Sequence, residues 1–261
     1  MQKCILIRTY RDEDKLFCKK LLEDSVMNQL NHTYIGILLG LNIMRLVNML
    51  SILLMSLLIY AGLHKIYCIM IMFIPAIILY ISLYTKFCYE ARMAGYEIFD
   101  IPRIYTLDNS SCFWIAEAYE DFSLNNQEQN QQYIFMTEEE MSVCKIDFSN
   151  HNKKIVGIMS VCKSNWEPTL GYIKRFYVQK KYIGKGIDTQ LMNQTEFFAY
   201  EHGILCIKAI VSQFEKHLIS FYNTKSFTVN IIQDKSFFIS VTLYEYTFRT
   251  MDSHSEQKKL V

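Results

Sequence analysis

The sequence predicts an α/β domain interrupted by an inserted hydrophobic membrane hairpin. Three observations carry that expectation. Short β-branched and aromatic segments alternate with amphipathic ones along most of the chain. Two long uncharged runs lie side by side between Leu46 and Tyr84. Two of only nine glycines, Gly184 and Gly186, fall together where a strand-like segment gives way to a helical one.

Taken in order, Ile5–Arg8 alternates as a short strand, and Asp12–Met27 has the spacing of a helix. From Asp24 to Glu90 no acidic residue intervenes, and the only Lys or Arg residues are Arg45, Lys65 and Lys86. Leu46–Leu63 and Ile66–Tyr84 are uncharged runs that, as helices, would be about 27 and 28 Å long, close to the hydrocarbon thickness of a bilayer. Only His64 and Lys65 separate them, so the expectation is an antiparallel hairpin that crosses or dips into the membrane and returns the chain to its starting side. Pro75 and Asn48 are expected to kink or polarise its helices.

Beyond the hairpin, Cys112–Ala118 reads as a strand after the turn-like Asp108–Ser111. Residues 119–153 are polar, with NNQEQNQQ and a run of glutamates, and are expected to form a flexible insertion. Ile155–Cys162 is apolar on both faces, as a central strand should be. Tyr172–Val178 is the next strand, followed by the glycine loop and a helix carrying Ile187, Leu191, Thr195 and Phe198 on one stripe. Gly203 suits its C-terminal cap. Ile204–Val211 makes a further buried strand, Lys216–Thr224 a short helix, and two aromatic strands close the domain near Phe227–Ile232 and Phe237–Phe248. The implied organisation is residues 1–32 as the first strand and helix, 33–92 as the hairpin, 93–250 as the rest of the domain, and 251–261 as a polar tail.

Composition excludes several classes. Eight cysteines are scattered singly without a CxxC pair, which argues against a metal centre or disulfide framework and suits a reducing compartment. A net charge of +1 makes no electrostatic case for nucleic acid. The start, MQKCILIRTYRDED, lacks the order of a signal peptide.

The stretch KKYIGKGIDTQL, 180–191, sits after a strand and opens a helix, the context an anion-binding loop requires. It is neither a Walker loop nor a dinucleotide fingerprint. It resembles the acyl-CoA loop of the GCN-five-related N-acetyltransferases, through Val178, Lys181, Gly184, Gly186, Ile187 and Leu191. FYNTKSF, 221–227, resembles that superfamily's Tyr-x-x-x-Gly-Phe, with Ser226 in place of the glycine. IRTYRDED, the apolar hairpin, SSCFWIAEA, KIVGIMSV, IKRFYVQKKYIGKGI and FYNTKSF together are similar to the Camello-type membrane N-acetyltransferases, which include cysteine-S-conjugate and aspartate N-acetyltransferases.

The resemblance implies the GCN-five-related acetyltransferase fold with a mixed central sheet, acetyl-CoA as co-substrate, a primary amine as acceptor (an amino acid, a cysteine S-conjugate or a protein lysine) and the lipid bilayer as partner. It places the cofactor against Phe176, Tyr177, Val178, Lys181, Ile183, Gly184, Lys185, Gly186 and Ile187, with a backbone N–H near Val178 polarising the thioester. Tyr222 would be the acid that protonates the departing thiolate. Lys174 and Arg175 are candidate partners for an acceptor carboxylate, and Glu167 and Tyr172 candidate bases. Ile183 stands where an arginine is usual, Asp188 where a small residue is, and Ser226 where glycine is; weak cofactor binding, or a non-catalytic interaction module, is the rival expectation. The C-terminal KKLV, with Lys258 and Lys259, resembles a dilysine retrieval signal, and with the charges flanking the hairpin it predicts an endoplasmic reticulum membrane protein with a cytosolic catalytic domain.

Overall fold

The computed structural model describes residues 4–40, 42–105, 111–121, 133–138, 140–141, 151–225, 227–235 and 240–250. Most of the polar stretch 119–153, Asn109, Ser226 and the tail 251–261 with Lys258 and Lys259 lie outside them.

Among the described residues eight strands form one mixed sheet: β1 (Cys4–Thr9), β2 (Ser111–Asp121), β3 (Ile134–Thr137), β4 (His151–Lys163), β5 (Leu170–Val178), β6 (Cys206–Ser212), β7 (Thr228–Lys235) and β8 (Ser240–Arg249). Their spatial order is β3-β1-β2-β4-β5-β6-β8-β7. β1/β3 and β5/β6 pair parallel and the other neighbours antiparallel. The helices are α1 (Lys15–Met27), α2 (Leu30–Gly40), α3 (Asn42–Tyr60), α4 (Lys65–Tyr105), α5 (Ile187–Glu201) and α6 (Lys216–Thr224).

Strand β3 lies inside the stretch expected to be a flexible insertion. Its four residues Ile-Phe-Met-Thr are too few to stand out from polar neighbours, and the long-range parallel pairing with Cys4–Ile7 is what makes them a strand.

Two cores lie on opposite faces of the sheet. On one, Ile5, Val156, Met159 and Val161 pack beneath Ile187, Leu191 and Phe198 of α5 and Phe221 and Tyr222 of α6. On the other, Phe113, Ile115, Ile155 and Ile158 meet Cys18, Leu21 and Leu22 of α1, spaced to form one helical face, with Ala94 and Ile98 of α4.

Helix α4 does two things. Its C-terminal half buries Leu83, Phe87, Ala91, Ala94 and Ile98, three or four residues apart, against the domain. Its N-terminal half leaves Ile66, Met70, Phe73, Ile77, Ile78 and Ile81 exposed, as α3 leaves Leu46, Met49, Leu50, Leu53 and Leu57. Lys65–Phe99 is by itself long and apolar enough to cross a membrane; Asp12–Gly40 and Met44–Tyr60, bent by 66°, meet the same criterion only as a pair. The expected two like-sized spans are thus one long straight-through helix and one broken element. Pro75 does not end α4. The chain reverses between α3 and α4 at Gly62, φ 89.

A buried ion cluster ties the first strand to its neighbours. Arg8, 6% exposed, donates two hydrogen bonds to Asp14 (2.6 and 2.7 Å) and one to Glu117 of β2 (3.0 Å). Burial opposes charge on both sides, yet the hydrogen bonds prevail: they hold the Arg8 proton above its ordinary affinity and the Asp14 carboxyl below its usual range. Removing the cation strands two buried carboxylates. Arg8→Ala is therefore expected to lower unfolding free energy by about 3–5 kcal/mol, measured by urea denaturation; a loss no larger than a surface substitution gives would contradict it.

Candidate functional site

The site begins where β5 and β6 stop pairing. Their parallel register runs from Leu170↔Cys206 to Ile173↔Ala209 and ends there, although β5 continues to Val178 and β6 to Ser212. On its other edge β5 stays paired with β4, through Ser160↔Arg175 to Gly157↔Val178. A β-bulge explains the parting. Ser160 faces Arg175 and Val161 faces Ile173, so Lys174 is the extra residue, and a bulge bends and twists its strand. The edge of β5 beyond Ile173 loses its β6 partner, which leaves backbone groups for a ligand.

A cleft of ≈ 510 Å³ fills the gap. Its floor is Ile173, Lys174, Arg175, Phe176, Tyr177 and Val178 of β5, and Ala209, Ile210 and Val211 of β6 form one wall. Glu215, Lys216, His217, Leu218 and Tyr222 approach from α6, and Ser25, Asn28, Gln29 and His32 from α1, α2 and their connection. α2 comes this close because Gly36 packs on the Phe214 ring, where any Cβ would collide.

The segment after β5 adds Lys180 and Ile183 to the lining. A 3-10 turn, Lys180–Tyr182, follows β5, and Gly184 (φ 76) and Gly186 (φ 86) carry the chain into α5 through the left-handed region that only glycine enters freely. Gly186 is the residue before α5, so the first-turn N–H groups, which have no intrahelical acceptor, open toward the loop. Phe135 of β3 lies against Gly186, so the unforeseen strand supports the loop.

Of the anticipated residues, Lys174, Arg175, Phe176, Tyr177, Val178, Ile183 and Tyr222 line the cleft; Lys181, Gly184, Lys185, Gly186 and Ile187 do not. Ile187 is buried beneath the sheet, its methyl beside Gly157. Lys185 turns away: its Nζ donates to Tyr133 Oη (3.3 Å) and sits 5.3 Å from the Tyr182 ring, while both phenols donate to Glu120 (3.1 and 3.0 Å). It anchors the loop to β2. Arg175 makes a two-pronged pair with Glu97 of α4 (3.0 and 2.7 Å), so the cation expected to await a substrate carboxylate already holds one. Lys174 is exposed at the bulge. Tyr177 points to the α1 side, where its hydroxyl accepts from Asn28 (2.7 Å); burial raises its pKa and that bond opposes the rise. The Asp188 carboxylate accepts from the Thr189 amide (2.9 Å) and lies 4.0 Å from His217.

Tyr222 is 1% exposed. Its ring stacks on Tyr246 (5.1 Å, 28°) and meets the edges of Phe227 (4.9 Å) and Phe221 (5.4 Å), with Phe176 at 6.2 Å. Burial, with the charges of Glu215 and Tyr246, pushes its phenol far above the ordinary value, so it stays a proton donor. Neither expected base lines the cleft. Glu167 is exposed in the turn before β5, at the opposite end of that strand from the parting, and Tyr172 precedes the parting. The carboxylate that does line it is Glu215, which the sequence analysis missed; its signal was its place seven residues, about two helical turns, before Tyr222.

A mixed sheet whose central parallel pair parts beside a helix-opening glycine loop and a buried phenol is the frame of an acyl-CoA-dependent transferase. Residues 97–227, just over half of the chain, match the family described as Acetyltransferase (GNAT) family, and the chain belongs to it. It is an acetyl-CoA-dependent N-acetyltransferase. No curated protein matches the sequence. Among solved structures it is similar to a GNAT-family acetyltransferase from Staphylococcus aureus Mu50 (12% identity, 93% of this chain and 99% of the other, TM-score 0.47). It is also similar to the PaiA N-acetyltransferase of Thermoplasma acidophilum in complex with coenzyme A (15% identity, 94% and 99%, TM-score 0.45). A third is a spermidine/spermine N-acetyltransferase of Vibrio cholerae (10% identity, 62% and 78%, TM-score 0.41). The family assignment rests on the family match and not on these structural likenesses.

The loop's dependence on glycine is measurable without a ligand. A Cβ at Gly186 would meet Phe135 at 3.5 Å, ordinary contact, so the cost of Gly186→Ala is backbone strain alone. The expected loss is about 1–2 kcal/mol of stability, read by urea denaturation; an unchanged midpoint would show that the loop relaxes out of the left-handed region.

Proposed function

We propose that this chain is a membrane-bound enzyme that moves the acetyl group of acetyl-CoA to a primary amine of an amino acid, a cysteine S-conjugate or a lysine side chain. The observation that carries the reading is the parting of β5 from β6 directly beside Tyr222. The pantetheine arm of the donor would run along the unpaired edge of β5, the pyrophosphate toward Ile183, Gly184, Gly186 and the start of α5, and the thioester near Phe176 and Val178. The amine attacks the thioester carbon, a C–N bond forms, and the carbonyl oxygen draws on a β5 backbone N–H near Val178. The C–S bond then breaks, and Tyr222 gives its hydroxyl proton to sulfur. Lys181 would act beside the phosphates by charge. Lys174 would meet an acceptor carboxylate directly, and Arg175 only in exchange for Glu97.

The exposed apolar surfaces of α3 and α4 support the bilayer as partner, since contiguous apolar area of this extent is rare on a surface that meets only water. The same reading places the chain in the endoplasmic reticulum membrane with the sheet in the cytosol, because the hairpin returns to its starting side and Arg45, Lys86 and Arg92 flank it there.

A second reading, an interaction module with impaired catalysis, draws on Lys185 and Arg175, two expected ligand cations already engaged by Tyr133 and Glu97. Thermal shift with acetyl-CoA, followed by mass spectrometry over amine acceptors, separates the two: stabilisation and an acetylated product are expected, and neither would be seen for the module. Tyr222→Phe keeps the ring stack on Tyr246 and is expected to lower kcat by about 10²-fold or more with acetyl-CoA binding intact; an unchanged kcat would return Tyr222 to core packing.

Topology has its own test. Asn31-His-Thr, Asn109-Ser-Ser and Asn193-Gln-Thr are glycosylation acceptors on the domain's side of the hairpin. The expected microsomal protein is unaffected by glycosidase, and protease outside intact vesicles cuts its C-terminus. A glycosidase-sensitive, protected domain would reverse the orientation.

A further inference from the structure

Acetyl transfer to an amine requires a group that removes protons from the acceptor's ammonium, and Glu215 stands in the cleft wall with its carboxylate held in place. We propose that Glu215 seats the ammonium group of the acceptor and is the general base of the reaction. The inference rests on the N-acetyltransferase reading above and adds to it the residue that takes the proton.

The geometry supports it from three sides. Glu215 is the residue before α6, in the turn that leaves β6 just past the parting, so its side chain reaches the same cleft as Tyr222 from the same helix. One carboxylate oxygen accepts the Ser212 amide N–H (2.9 Å) and the other accepts Nε2 of Gln29 (2.7 Å), which comes from the α1–α2 connection. These two donors fix the carboxylate, and each oxygen keeps a lone pair for an incoming N–H. Among the described residues Glu215 forms no salt bridge, in a cleft whose other charged side chains are Lys174, Arg175, Lys180 and Lys216. With none of these four cations paired to it, the Glu215 carboxylate is open to an alkylammonium ion.

Its acid strength fits the task. Burial raises the carboxyl above its ordinary value, against the lowering effect of the Ser212 amide, so Glu215 holds a proton better than an exposed glutamate. The neighbouring phenol is raised as well, first by burial and then by the charges of Glu215 and Tyr246, and stays protonated. A carboxyl and a phenol start from widely separated ordinary ranges, so in one cleft the first can take a proton while the second still holds one.

The protons balance. The first ammonium proton passes through Glu215 to solvent and frees the amine lone pair. As the C–N bond forms, the nitrogen loses its second proton to Glu215. As the C–S bond breaks, Tyr222 protonates sulfur and the Glu215 carboxyl restores the Tyr222 proton through cleft water. Acceptor ammonium and acetyl-CoA become acetamide, coenzyme A thiol and one proton.

The test is the pH dependence of kcat/KM with acetyl-CoA and S-benzyl-L-cysteine, aspartate or Nα-acetyl-lysine as acceptor. The other titratable or charged groups facing the cleft are His32 from α2, Lys174, Arg175 and Tyr177 from β5, Lys180 from the following turn, and Lys216, His217 and Tyr222 from α6. The acid limb is therefore assigned by substitution. Glu215→Gln is expected to lower kcat by about 10²–10⁴-fold, to abolish the acid limb, and to leave the calorimetric Kd for acetyl-CoA unchanged. Glu215→Ala is expected to regain rate with added formate. Wild-type turnover with Glu215→Gln retaining its rate and acid limb overturns the inference alone. So does Glu215→Gln losing acetyl-CoA binding, or Glu215→Ala showing no formate rescue, since Glu215 is then a structural brace. A wild-type chain that acetylates none of the three amines overturns the N-acetyltransferase reading and this inference with it.

Discussion

Strands β5 and β6 share four register pairs before they part, and the functional geometry depends on the loss of the pairs that would follow. Two adjacent strands normally satisfy each other's backbone groups along their whole length. Here the bulge at Lys174 turns β5 while β4 keeps its grip on the far edge, so the sheet stays continuous on one side and opens on the other. The opening exposes polar backbone; α6 begins in its lining, at Glu215 and Lys216, and α5 begins four residues after Ile183, which also lines it. A thioester donor offers what such a gap lacks: a chain of amides to pair with a strand edge, and phosphates for a helix start.

The two faces of the sheet divide the remaining labour. On one face α5 and α6 pack tightly beneath Gly157, Met159 and Tyr246, which fixes the glycine loop and the Tyr222 ring against a rigid floor. On the other, α1 and the second half of α4 cover Phe113 and Ile158. Because α4 is continuous, the half that lies on the domain and the half with its apolar side chains exposed are one rod. Glu97 of that rod holds Arg175 beside the bulge, and Gly36 of α2 lets Phe214 close the opposite wall. Helix α2, through Gly36, and helix α4, through Glu97, thus both border the cleft.

Local pattern made much of this legible. Uncharged runs, apolar strands and the Gly-Lys-Gly turn each report a local rule: length against hydrophobicity, burial on both faces, positive φ before a helix. β3 was not legible, because four residues in a polar stretch become a strand only when β1 supplies the partner. Arg175 and Lys185 read as free ligands because nothing nearby in sequence hints at Glu97, 78 residues away, or Tyr133, 52 away. A charge and its counter-charge meet only after the sheet has formed. Glu167 misled for the reverse reason: it is near β5 in sequence but precedes the strand, whereas the parting lies in the strand's second half.

The sequence by itself determined the α/β class, the apolar helices α3 and α4, the glycine loop at a helix start and the presence of Tyr222 on the helix after β6. All of these follow from interactions within one element, whose range is a few residues. Only the tertiary structure decided where β5 leaves β6, which cations remain for a ligand, and that Glu215 and Gln29 meet from elements 186 residues apart. Those outcomes depend on which backbone groups stay unpaired and which charges find partners once distant segments are packed together, and that is settled by the assembled sheet, since no stretch of the chain carries it alone.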